Sequence, residues 1–278
     1  MKKLSNLQVA LAAIGAVIGL GRHAVAQDTS AAATQPAAGA ATQPSATPLF
    51  TEDFESGQID KSKWETRIAP NSKATVAVVT DKSAHGKSSL QVHYPMGDKG
   101  YAFIVATHLP DAVRQHFFGR AYVFAGPNPL NSHDVAILGG TPGWPISNFL
   151  EIGLHDTHLQ PSFQWNDFTP EVKRGETVPA RTQTFPVGKW FCLEWEFNNQ
   201  PDTITLWIDG KQVEKSAFTF NGTKTDLIHN TTVQGFYELA LGYRAWGAGG
   251  KNDFDIYYDD IAIGASRIGQ IAGPVNGD

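Results

Sequence analysis

The sequence predicts an all-β fold, a sandwich of antiparallel strands, on three observations. No segment after Pro48 sustains the 3.6-residue apolar period of a long helix. Apolar residues instead alternate with polar ones or form short runs. Gly, Pro, Asn and Asp bound those runs, which is the pattern of a β-sandwich.

The strands follow in order. Ser88 to Tyr94 carries Leu90 and Val92 on one face, and a Gly-Asp-Lys-Gly turn leads to a strand from Tyr101 to Thr107. Gly119 to Ala125 sets Ala121 and Val123 on one face and Arg120, Tyr122 and Phe124 on the other. Asp134 to Leu138 and Phe149 to Leu154 read the same way. In the second of these, Leu150, Ile152 and Leu154 share one side, while Glu151 and His155 share the other. The strongest hairpin signal runs from Phe191 to Val213. Leu193, Trp195 and Phe197 alternate with Cys192, Glu194 and Glu196, and Ile204, Leu206 and Ile208 alternate beyond an Asn-Asn-Gln-Pro-Asp turn. Asp209-Gly210 is a tight-turn dipeptide. Tyr237 to Tyr243 and Phe254 to Ile263 complete the set.

The start of the chain is of another kind. Lys2 and Lys3 precede an apolar run from about Leu7 to Leu20, and Ala24-Val25-Ala26 supplies the small residues that a signal peptidase reads. Residues 1–26 are therefore expected to be a signal peptide and the protein to be secreted or periplasmic. The run is shorter than the roughly 20 apolar residues of a membrane span, and no membrane span is expected. Residues 27–48 are almost wholly Ala, Thr, Gln, Pro, Ser and Gly. Such a composition buries too little apolar surface to offset its ordering entropy, so it reads as a disordered spacer. Residues 49–278 form the expected β domain, roughly 230 residues and one folding unit.

The net charge is -5 with no basic run, which excludes nucleic acid as the main partner. Cys192 is the only cysteine, so the domain has no internal disulfide, and the thiol is expected to be buried and inert.

Several segments carry a resemblance. "LFTEDFESGQIDKSKWE" opens the domain, and "SAHGKSSLQV" follows it. "FCLEWEFNNQPDTITLWIDGKQV", "LALGYRAWG" and "DIYYDDIAIGASRIG" complete the pattern. Together they resemble the secreted cellulose-induced protein family of fungi and bacteria over most of Leu49 to Gly269. The resemblance implies a concanavalin-like β-jelly roll related to glucuronan lyases and other polysaccharide lyases. It also implies a calcium ion near the ends of the domain.

Asp53 and Glu55 are expected at the start of the first strand, and Asp259 and Asp260 in the last. First and last strands commonly adjoin in a jelly roll, and a loop such as Asp81 to Lys87 could add carbonyls. Such an oxygen-rich set suits Ca²⁺. Glu55 and Asp259 are the leading ligands, with Asp259 expected to point inward because it shares the parity of Ile261 and Ile263. His155-Asp156-Thr157-His158 has a metal-like spacing, but it leaves a strand and reads as a loop with two ordinary histidines.

The expected partner is a polysaccharide and the expected state a monomer. Candidate substrate-binding residues are Tyr122, Glu151, His155, Trp165, Arg244 and Trp246. β-Elimination of a polyuronate needs a cation on the uronate carboxylate, a base for the C5 proton and an acid for the leaving oxygen. Arg120, His133 and Tyr243 are assigned these parts in that order. The resemblance places Arg120 and His133 where the family presents polar residues to its groove. Two alternatives stay open. A non-catalytic carbohydrate-binding module needs the same aromatics without an acid–base pair. A glycoside hydrolase needs two carboxylates, and Glu194 and Glu196 share one face of one strand, about 7 Å apart.

Overall fold

Alternation and turn chemistry produce fifteen strands and one 3₁₀ turn, at Asp111–Val113, among the described residues. The computed structural model describes residues 47–127, 134–143, 147–155, 158–164, 183–199, 202–217, 235–245 and 252–276. The strands are β1 Phe50–Glu52, β2 Trp64–Ile68, β3 Thr75–Val79, β4 Ser89–Tyr94 and β5 Gly100–Ala106. Then come β6 His116–Ala125, β7 Asp134–Thr141, β8 Ser147–His155, β9 His158–Gln164 and β10 Gln183–Thr184. β11 Trp190–Asn199, β12 Asp202–Ile208, β13 Lys211–Ala217, β14 Glu238–Ala245 and β15 Phe254–Gly264 complete the chain.

Two antiparallel sheets form. The first runs β13-β12-β11-β6-β15-β4-β3, with β1 also paired to β15. The second runs β10-β9-β8-β7-β14-β5-β2. The expected two-sheet jelly-roll sandwich is thus the observed fold. Its core is the inward half of each alternation: Ala121 and Val123 from β6, Leu193, Trp195 and Phe197 from β11, and Ile104, Leu150, Ile152 and Leu241 from the second sheet. Gly119 is required by this packing, since a Cβ there would lie 2.1 Å from Trp195 Cε2. The Phe191 to Val213 segment resolves into three strands, turning at Asp209 (φ 47) and Gly210 (φ 76), the paired positive φ of a tight hairpin.

Three expectations needed correction. β2 and β3, which close one edge of each sheet, were not read from the sequence: β2 is mostly polar, and β3, Thr-Val-Ala-Val-Val, is a short apolar run without alternation. β1 ends at Glu52, so Asp53 and Glu55 follow the first strand and are exposed. First and last strands do adjoin, with Phe50 opposite Ile263. Asp259, however, does not point into the sandwich. Ile256 and Tyr258 face the core, a bulge at Asp260 (φ 48) resets the register, and Ile261 and Ile263 face the core beyond it. Asp259 is buried on the opposite side, beneath the loop that follows β3.

Among the described residues no helix is long and apolar enough to cross a membrane. The signal-peptide and spacer expectations lie almost wholly outside the described residues, as do His133, Trp165 and Trp246.

Candidate functional site

Each sheet turns one face to the core, so each also has an outer face. The two outer faces differ.

The outer face of the first sheet is covered by the chain's own end. Arg120 Nε and Nη2 donate to Asp260 O (3.3 and 3.2 Å), and Nη1 donates to Gly269 O (3.2 Å). The Tyr122 hydroxyl accepts the Ile271 N–H at 3.1 Å, and burial, followed by the nearby Cys192, pushes its pKa up. Arg267 holds the buried Glu194 through two bonds of 3.1 and 2.7 Å, and Gly269 N–H adds a third. Glu196 accepts from Thr205 Oγ1 at 2.7 Å and contacts His116 Nε2 at 2.8 Å. Arg120, Tyr122, Glu194 and Glu196 therefore clamp strands and tail. Cys192 lies in the same layer, fully buried, and burial raises its thiol pKa.

Tyr243 lies elsewhere. It faces the core between the sheets, its ring 5.4 Å from that of Tyr94 and 4.7 Å from that of Phe254. Arg120 and Tyr243 thus do not converge: one sits on an outer face and the other between the sheets. Parity places Tyr243 with Leu239 and Leu241 and Arg120 opposite Ala121 and Val123, so this separation follows the alternation.

The outer face of the second sheet gathers a different set. Leu239, Leu241 and Tyr243 of β14 face the core, so Glu238, Ala240 and Arg244 face outward. The outward half of β5 is Tyr101, Phe103 and Val105, packed with Leu138, Phe149 and Ala240 in a cluster separate from the core. Tyr101 and Phe103 stack with centroids 6.2 Å apart. Arg244 is the direct cross-strand partner of Tyr101. Such partners have Cβ atoms about 5 Å apart. Glu151 lies outward on β8, level with Leu138 of β7 and Ala240 of β14, so it is roughly 10 Å across the sheet from β14 and Arg244 lies roughly 13 Å further along that strand. Glu151 is 2 % exposed, Arg244 4 % and Tyr101 5 %. Arg67 of β2 reaches Glu238 of β14 through two bonds of 2.8 and 2.9 Å, and that hydrogen bonding, against the cost of burial, holds its pKa well above the usual value.

Glu151 and Arg244 were read from the sequence, and the fold brings them to one face. His155 ends β8 directly opposite His158, which opens β9. Arg67, Tyr101 and Glu238 were missed. The signal was present in "GYAFIVA", whose apolar residues fall on both parities and so mark a strand covered on both faces.

The acidic residues near the chain ends divide. Glu55 Oε1 accepts the N–H groups of Lys87 and Ser88, each at 2.8 Å. Asp259 Oδ2 accepts those of Ala84 (2.8 Å) and His85 (3.2 Å), and its Oδ1 accepts that of Asp260 (2.8 Å). Both carboxylates thus border one loop. Asp53 only caps Glu55 N at 3.1 Å, and Asp260 pairs with His85 Nδ1. Among the described residues no three His, Cys, Asp or Glu side chains converge as a metal-binding group. Burial, then the neighbouring Asp260, raises the Asp259 pKa to about 7. The partners that these two carboxylates have in the structure are backbone N–H groups of that loop and of Asp260.

Residues 53–266 match the core domain of the Cip1-like, polysaccharide lyase-like family. Among solved structures, the cellulose-induced protein Cip1 superposes with a TM-score of 0.57 at 20% identity, covering 80% of this chain and 100% of that one. An endo-β-1,4-glucuronan lyase from the fungus Trichoderma reesei superposes with a TM-score of 0.56 at 16% identity, covering 79% of this chain and 96% of that one. No curated protein matches in sequence.

Proposed function

Because the chain belongs to the Cip1-like, polysaccharide lyase-like family, we propose that it cleaves a uronate-containing polysaccharide by β-elimination on the outer face of the second sheet. The observation that carries the reading is the pairing of Arg244 with Tyr101 on a desolvated face that also bears Glu151. Elimination removes the C5 proton, forms the C4–C5 double bond and breaks the C4–O bond. Negative charge builds on the uronate carboxylate as the proton leaves. A guanidinium in a low-dielectric setting stabilises that charge far better than one in water. Arg244 has this part, and the Tyr101 hydroxyl protonates the departing oxygen. His133, which directly precedes the first residue of β7, is the proposed base.

Calcium is proposed as a structural ion held by Glu55 and Asp259. It would supply charge neutralisation at Asp259 and take no part in elimination. Export to the periplasm or medium is proposed from Lys2, Lys3 and the Ala24-Val25-Ala26 site.

The test is a panel of glucuronan, alginate and pectate, monitored by the ultraviolet absorbance of the unsaturated uronate product. Rising absorbance on one of them supports the reading. Retardation in a polysaccharide affinity gel without any rise would instead support a non-catalytic binding module. One observation favours that second reading: Arg120 and Tyr243, expected to act together, lie in different layers.

A further inference from the structure

On the other side of the sandwich, at the first sheet's outer face, lies a cleft of about 680 Å³. This falls within the roughly 300–1,000 Å³ of small-molecule sites. Its walls are ordered by specific bonds. Asn276 N–H donates to Ala84 O at 2.7 Å, and Asn276 Nδ2 donates to Ser83 Oγ (3.1 Å) and Gly86 O (3.3 Å), which ties the chain's end to the loop after β3. Gly188 N–H donates to Ala125 O at 2.9 Å and fixes the opposite wall.

The lining has a distinct chemistry. Among the described residues, Lys82, Lys87 and Lys189 line it against a single carboxylate, Asp81, in a chain whose net charge is -5. Phe124 and Trp190 form an aromatic floor, their centroids 5.7 Å apart. Lys82 Nζ is held 4.0 Å from the Phe124 centroid and 5.6 Å from that of Tyr257, a cation–π placement that fixes its charge at the cleft. Ser83 and Asn276 add hydroxyl and amide groups suited to polyhydroxylated ligands.

We propose that this cleft is a second saccharide-binding site, separate from the outer face of the second sheet, that takes an acidic sugar unit. The lysines meet its carboxylate, the aromatic floor meets its C–H face, and the polar wall meets its hydroxyls. A neutral sugar would bring the lysines no anionic partner, and a bare inorganic anion would leave the floor and the polar wall unused.

The test follows the indole N–H resonance of Trp190, assigned with Trp190→Phe, while the full chain is titrated with trigalacturonate, cellotriose or sulfate. Trigalacturonate is expected to shift the resonance saturably. Lys82→Gln/Lys189→Gln should weaken that binding about tenfold or more, the loss of hydrogen bonds to a charged group. Cellotriose should bind about tenfold more weakly than the acid. The double variant should keep wild-type cleavage of any polyuronate the protein cleaves, which separates failure here from failure of the lyase reading. No shift with trigalacturonate overturns the proposal. So does equal binding of cellotriose, or a sulfate response matching that of the acid in size and affinity.

Discussion

Tyr258→Phe removes one oxygen from the centre of the sandwich. Tyr258 is fully buried, and its hydroxyl donates toward Gly242 O at 2.7 Å and Ala136 O at 3.2 Å. Both acceptors lie in the second sheet where β7 and β14 shift register, between Val135 and Ile137 and between Leu241 and Arg244. The phenol thus satisfies carbonyls that the interrupted ladder turns inward. Phenylalanine keeps the ring and its packing, so the change isolates the hydroxyl. Leaving buried carbonyls without their donor costs about 1–3 kcal/mol. For a domain of this size each kcal/mol lowers Tm by about 2–4 °C, so a fall of about 2–12 °C is expected. Calorimetry measures the fall, and urea titration should show a lower midpoint at unchanged slope. A fall under about 1 °C would refute the reasoning, because it would mean that the two carbonyls find other donors.

Gly119→Ala sets a methyl 2.1 Å from Trp195 Cε2 and should cost about 1–3 kcal/mol or more in chemical denaturation; an unchanged midpoint would show that the indole can move aside. Burial alone would raise the Asp98 pKa, but Ser72 Oγ (2.6 Å) and the N–H groups of Lys99, Lys73 and Ala74 hold it below the usual value. Its stabilising contribution is therefore present above the unfolded carboxyl range and lost as pH falls through the lower folded value, so the Tm deficit of Asp98→Asn should be seen at neutral pH and close under acid. Added calcium should raise Tm, a chelator should reverse the gain, and Asp259→Asn or Glu55→Gln should abolish it; a Tm indifferent to calcium contradicts the proposed ion.

The fold was legible in the chain where one face of a strand carries polar side chains, even under cover. Leu193, Trp195 and Phe197 alternate cleanly with polar residues, and all three reach the core. Legibility failed where the period breaks. The bulge at Asp260 inverted the reading of Asp259, because period-2 counting holds only while the pleat is regular. The candidate site suffered from a different ambiguity. Arg120 and Arg244 both sit outward on central strands, and no pattern in the sequence says that residues 265–276 fold over one face and not the other. Tyr243 occupies the parity of Leu241 and Leu239, so its inward direction was readable from the alternation. Tyr101 was hidden in an apolar run, and only the register with Arg244 brings it to the site.

The most direct test of the central claim is the initial rate of unsaturated-product formation for Arg244→Ala and Tyr101→Phe beside the wild type, each shown by calorimetry to be folded. The account predicts that each variant slows cleavage about 100-fold or more, while Tyr243→Phe, a core change, leaves the rate near that of the wild type. Wild-type rates in folded Arg244→Ala and Tyr101→Phe would contradict it and move the chemistry off this face.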